Sequence, residues 1–211
     1  IVAEVNRERI FVAPDASHVA TARSAEPGSK PEVTFDPDAL GFRIGGYGMR
    51  VFGDLFTDRQ LVLLNTYLDL LNDVREKALA DAVAAGLAEA NDGLEHGGDG
   101  AKAYAEAISV YLGFGVSRLA DIQNSLCRWE SSKTQVRNLF GRQAISMMWD
   151  FGENNAFADA AGDFRTSLGS IVRVVERLYP RSKGNERNQD AQTAEYPEGT
   201  VISTDPPYYD N

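Results

Sequence analysis

Close to the C-terminal end the chain reads Val201-Ile202-Ser203-Thr204-Asp205-Pro206-Pro207-Tyr208-Tyr209, a short apolar run leading into Asp-Pro-Pro-Tyr. These residue types suit one particular task. An amine attached to an aromatic base is a poor nucleophile, because its lone pair is delocalised into the ring. A site that methylates it must hold the amine and accept its hydrogens, so that the lone pair faces a methyl donor. Asp205 offers a carboxylate acceptor. Pro206 leaves a free carbonyl with its own φ fixed, and Pro207 locks the next step. A residue before proline is pushed to extended geometry, so Asp205 and Pro206 are expected outside any helix. Tyr208 supplies a flat face, and base–aromatic stacking is worth roughly 1–3 kcal/mol. A base in a duplex would have to be flipped out to reach it.

The tetrapeptide resembles the catalytic motif of the amino-methyltransferases, which methylate exocyclic nitrogens of adenine or cytosine in DNA. The preceding Val-Ile-Ser-Thr strengthens that reading, since ligands of open α/β sheets sit at the carboxyl ends of strands. The same residues also fit a Pro-Pro turn after an edge strand, with Asp205 as turn former and Tyr208 as rim packing. The motif's place so near the end, and a first residue that is not Met, lead to the expectation of a piece of a longer protein.

The elements around the motif must come from a chain of 211 residues, long enough for a sizeable core in one domain or two small ones. Hydrophobic content of 43% and charged content of 25% are those of an ordinary globular protein. No stretch approaches the roughly 18 apolar residues of a membrane span. The charged start Glu4, Arg7, Glu8, Arg9 has no apolar signal region, so a cytoplasmic location is expected. A single cysteine, Cys127, excludes an internal disulfide and a cysteine-based zinc site, and reads as a buried structural thiol. His18 and His96 have no second ligand at metal-binding spacing, so no metal is expected.

A net charge of −10 is the wrong sign for a free-standing nucleic-acid binder. The charge is uneven, however. Arg118, Arg128, Lys133, Arg137 and Arg142 face only Asp121 and Glu130 across that window. The stretch is either a local basic face or an ordinary solvated surface.

Residues 1–41 read as an irregular arm, with a strand at Arg9–Ala13 and punctuation by Pro14, Pro27, Pro31 and Pro37. Gly45-Gly46-Tyr47-Gly48 reads as a flexible turn and lacks the Lys-Ser/Thr of a phosphate loop. Thr57 and Gln60 form a capping box for a helix whose apolar stripe is Leu61, Leu64, Leu68, Leu71 and Val74, extending to about Ala90. A second helix is expected from Ala101 to Ser125, with Tyr104, Ile108, Tyr111, Leu112, Val116 and Leu119 inward. The two should pack antiparallel, with Tyr104, Tyr111 and Phe114 in the core. Phe140–Phe151 predicts a short helix ending near Trp149. Phe164–Tyr179 predicts another, with Leu168, Ile171, Val172, Val175 and Leu178 inward. A strand at Val201–Thr204 then precedes the motif. The resulting fold class is mainly α with a small α/β portion: antiparallel helices joined to the edge of a Rossmann-like methyltransferase sheet. Its parts are an extended arm (1–45), a helical domain (46–180) and the start of a catalytic α/β portion (181–211).

Laid out in order, several blocks resemble the DUF1156-containing, zinc-ribbon-associated family of adenine-specific DNA methylases. They are Phe52–Gln60, Tyr104–Ala107, Val116–Asp121, Ser125–Trp129, Phe140–Ile145, Met148–Phe151 and Thr204–Asp210. The resemblance covers the chain from about residue 45 onward. It implies an enzyme that uses S-adenosylmethionine to methylate adenine N6 in DNA, in a restriction or phage-defence setting, with DNA and other defence subunits as partners and no membrane. Asp205, Pro206, Pro207 and Tyr208 match the catalytic motif. Asp190, between a helix and the final strand, falls where such folds place a carboxylate on the cofactor's adenine. Arg118, Arg128, Arg137 and Arg142 are the candidate phosphate contacts. The family's glycine-rich cofactor motif, its zinc-ribbon cysteines and the strands after Asp-Pro-Pro-Tyr are missing from this sequence, so the chain alone is expected to be inactive and to hold no cofactor. The alternative is a non-enzymatic helical module that docks a partner protein through its two long helices.

Overall fold

The computed structural model describes residues 1–5, 8–36, 41, 43–141, 144–179, 184 and 188–205. Its frame is a pair of long helices. Helix α2 spans Asp58–Ala84 and helix α3 spans Ala101–Ile122; a short helix, α1, precedes them at Ala16–Arg23 and α4 follows at Phe164–Val175.

The start of α2 is local chemistry. The Thr57 hydroxyl accepts from the Gln60 amide at 3.3 Å, and the Gln60 side-chain carbonyl accepts from the Thr57 amide at 2.9 Å, the reciprocal capping box expected from sequence. The helix stops before the expected Ala90. The Gly86 amide donates to the Val83 carbonyl and the Leu87 amide to the Ala82 carbonyl, with Gly86 at φ +92°, the hydrogen-bond pattern that closes a helix end.

Helix α3 returns antiparallel to α2, as expected. At one end the Ala101 amide donates to the Ala88 carbonyl at 2.9 Å, and at the other the Ser125 amide donates to the Leu55 carbonyl at 2.6 Å. The face it buries differs from the expected one. Val116 and Leu119 are buried, but Tyr104, Tyr111 and Phe114 are 51%, 39% and 55% exposed. In their place Ala101, Ala103 and Ala105 are buried. Val116 and Leu119 share the second core with Leu64 of α2, while the aromatics stay outside it.

Two adjoining cores result. Ile44, Leu55, Leu126 and Ile145 form one; Leu64, Val116, Leu119 and Ala156 form the other; Phe56 packs against both. Tyr67 and Phe164 stack at 4.6 Å and bring α4 onto the second core. Asp163 caps α4, its Oδ1 accepting from the Arg165 amide at 2.6 Å and the Thr166 amide at 3.4 Å. Helix α4 ends at Val175, short of the expected Tyr179, and Val172, Val175 and Leu178 are exposed rather than inward.

The N-terminal stretch holds more structure than its sequence suggests. Strands β1 (Val2–Val5) and β2 (Glu8–Phe11) form an antiparallel hairpin pairing Val2 with Phe11 and Val5 with Glu8. Helix α1 follows, capped by Asp15, whose Oδ1 accepts from the His18 amide at 2.9 Å. It buries no residue, so it leaves no apolar period to detect. Beyond it Lys30 reaches Asp54 at 2.6 Å and ties the segment to the core.

A second hairpin, β3 (Trp129–Glu130) with β4 (Gln135–Val136), follows α3. The short helix expected at Phe140–Phe151 is absent among the described residues there. The Phe140 amide donates to Asp121 Oδ1 at 2.8 Å, Ile145 enters the core, and Phe151 bridges to Arg128. The expected final strand and the Rossmann-like sheet edge are likewise not seen. The described sheet consists of the two two-stranded antiparallel hairpins, and Val201 is 92% exposed with no strand beside it. The fold is therefore mainly helical with small antiparallel hairpins. No helix among the described residues is long and apolar enough to cross a membrane.

Candidate functional site

Of the expected catalytic and cofactor residues, the structure describes Asp190 and Asp205. Asp205 is exposed at the end of an extended segment, and Pro206, Pro207 and Tyr208 lie outside the described residues. Asp190 is also exposed and shapes a turn: its Oδ1 accepts from the Gln192 amide at 2.9 Å and its carbonyl from the Thr193 amide at 3.2 Å. No hydrogen bond or ion pair joins Asp190 to Asp205 among the described residues.

The candidate phosphate contacts divide. Arg118, near the end of α3, and Arg128, entering β3, are exposed and carry no ion-pair partner among the described residues. Arg137 is committed to Glu130 at 2.5 Å, and its guanidinium, with help from Gln135, holds the Glu130 carboxyl below the usual range. Arg142 lies outside the described residues.

What the fold does build is a polar junction where α3 ends. Asp121 is its hub. Its carboxylate accepts from the Phe140 amide at 2.8 Å and from Asn138 Nδ2 at 3.0 Å, and its carbonyl accepts from the Leu139 amide at 2.9 Å. Gln123 and Asn124 are buried beside it, and Gln123 donates to the Asn154 carbonyl at 2.7 Å. Glu153 spans back to the start of α2, taking two hydrogen bonds from Arg59 at 2.9 and 2.6 Å and one from the Thr57 hydroxyl. Beside the junction lies a cavity of about 250 Å³ lined by Arg118, Asp121, Asn138, Gly162, Thr166 and Ser167. Arg118 and Asp121 bring opposite charges to its lining, and Asp163 already accepts from two early amides of α4. Cys127 is buried at the junction as expected; its thiol donates to the Asp121 carbonyl at 3.4 Å, and burial pushes it up to about 11, far from a nucleophile.

A second feature lies on the face of the first core. Tyr47 and Trp149 meet edge to face at 5.2 Å, above a cleft of about 350 Å³ lined also by Gly41, Arg43, Ala144, Ser146 and Met147. The glycine-rich turn at Tyr47 is a 3-10 helix, Arg43–Tyr47, with Ile44 buried beneath it. Sequence reading noted the glycines and the tryptophan separately. Their pairing across some hundred residues has no local signal.

A scan against protein-family models finds no match, and neither the curated proteins nor the solved structures return one.

Proposed function

We propose that this chain is the helical, DNA-facing part of an S-adenosylmethionine-dependent DNA adenine-N6 methyltransferase, with Asp205, Pro206, Pro207 and Tyr208 as its catalytic motif. One observation supports the reading above others. Blocks singled out by resemblance, far apart in sequence, meet in one structural unit. Leu55 of the first block accepts from Ser125 of another; Asp121 accepts from Phe140; Arg128 bridges to Phe151; Leu55, Leu126 and Ile145 share one core. These contacts join five of the seven blocks. Arg118 and Arg128 remain the phosphate candidates, and Arg137 contributes less because Glu130 neutralises it. The family's glycine-rich cofactor motif is not in this sequence, so the chain by itself is expected to show no low-micromolar binding of S-adenosylmethionine in isothermal titration.

The deciding experiment replaces Asp205 by Ala in the protein as encoded in full and measures methyl transfer to DNA. Loss of a positioned proton acceptor should cost about 100-fold or more. Full activity would favour the second reading, a non-enzymatic module that docks a protein. That reading has its own support in the exposed apolar face of α3, Tyr104, Val110, Tyr111 and Phe114.

A further inference from the structure

We propose that the cleft lined by Tyr47 and Trp149 holds an unpaired base of a DNA strand, with Arg43 meeting the neighbouring phosphate. The choice of DNA as the source of the base rests on the function proposed above; the cleft itself rests on its own geometry.

Trp149 is 73% exposed and Tyr47 57% exposed, although each is held by the other, with ring planes at 87°. Both rings therefore keep much of their surface open to a ligand. The walls behind them are fixed. Ile44 and Ile145, one on each wall, are buried in the same core, and Met147 packs against it. The walls touch at Gly41, which has φ +85°; a Cβ there would come within 2.7 Å of the Ala144 Cβ. A side chain at Gly41 would therefore clash with Ala144 where the walls meet. Its volume of about 350 Å³ is at the small end of ligand clefts, typically ~300–1,000 Å³.

The lining selects the occupant. Among the described residues it offers two exposed aromatic rings, an exposed serine and one cation, Arg43, with no carboxylate, in a chain whose net charge is −10. That combination suits a planar group beside a negative charge, which is a nucleotide. A base inside a duplex already has both faces covered, so a stacking platform favours an unstacked one. Against the chain's overall charge, affinity should be weak, on the order of 10⁻⁴–10⁻⁶ M, and salt-dependent.

The test is a tryptophan-fluorescence titration of this chain, with Trp129→Phe in the background so that only Trp149 emits. A short oligothymidylate should quench the signal, and a duplex of equal length should quench far less. Binding of the labelled oligonucleotide, read by anisotropy, should weaken roughly 5- to 100-fold in Trp149→Ala. Arg43→Ala should flatten the salt dependence by about 0.7 in log–log slope. Trp149 is on the surface, so its variant should melt like the parent. An unquenched signal, equal binding by Trp149→Ala, quenching by RNA to the exclusion of DNA, or emission that changes with protein concentration alone through self-association would each overturn the assignment. The two proposals fail separately. A flat titration with an inactive Asp205→Ala leaves the methyltransferase reading standing, and quenching with a fully active Asp205→Ala leaves only the cleft.

Discussion

Ser125 donates twice to the carbonyl of Leu55, from its amide at 2.6 Å and from its hydroxyl at 2.8 Å, across seventy residues of sequence. The pair fastens the end of α3 to the entry of α2 and closes the first core. Replacing Ser125 by Ala removes the hydroxyl bond and keeps the amide bond. The expected loss is about 0.5–1.5 kcal/mol, the usual net worth of such a bond, read as a lower urea midpoint with unchanged m-value.

The face that α3 presents to α2 can be checked by opposed substitutions. Leu119 is fully buried, so Leu119→Ala should cost about 2–5 kcal/mol through lost burial and a residual cavity. Tyr111 is exposed, so Tyr111→Ser should stay within about 0.5 kcal/mol of the parent. Urea unfolding of both variants decides it; a large cost at Tyr111 would restore the face expected from sequence.

Asp54 gives the chain an acid limb. The Lys30 ammonium at 2.6 Å and the amides of Arg50 and Val51 hold its carboxyl at about 2, below its ordinary 3.8. A depressed carboxyl adds stability that is complete above the unfolded value and is lost as pH falls through the folded one. Stability should therefore decline from about pH 4 toward pH 2, and Asp54→Asn should flatten that decline. Urea midpoints of the two proteins across this range supply the measurement, and identical slopes would count against the Lys30–Asp54 tie.

Cys127 predicts behaviour at the alkaline side. Burial raises its thiol from 9.0 to about 11, so the unfolded chain loses that proton first. Its contribution to stability is complete below pH 9 and falls as pH rises toward 11. At pH 8 the native chain should resist a thiol reagent such as iodoacetamide, and urea should release a single reactive group. Rapid labelling of the folded chain would show the site to be open.

What could be read from the residues alone was what neighbours in sequence settle. The Thr57–Gln60 box and the apolar run after it act within a few residues, and both helices start and pack antiparallel as the sequence puts them, though each ends earlier than expected. The burial of Cys127 was legible for a similar reason, since a lone thiol is among the most often buried residue types. Tertiary structure decided the rest. Helix α3 carries apolar residues around much of its girth, and only the assembled fold selects Val116 and Leu119 for the core while leaving Tyr104, Tyr111 and Phe114 outside. Phe140–Phe151 carries a helical pattern, yet its described residues bond instead to Asp121, to the first core and to Arg128, because bonds to distant partners replace those of a lone short helix. The meeting of Tyr47 with Trp149, and of Ser125 with Leu55, depends on chain reversals through two long helices. No local pattern encodes such a meeting; the closing of the core does.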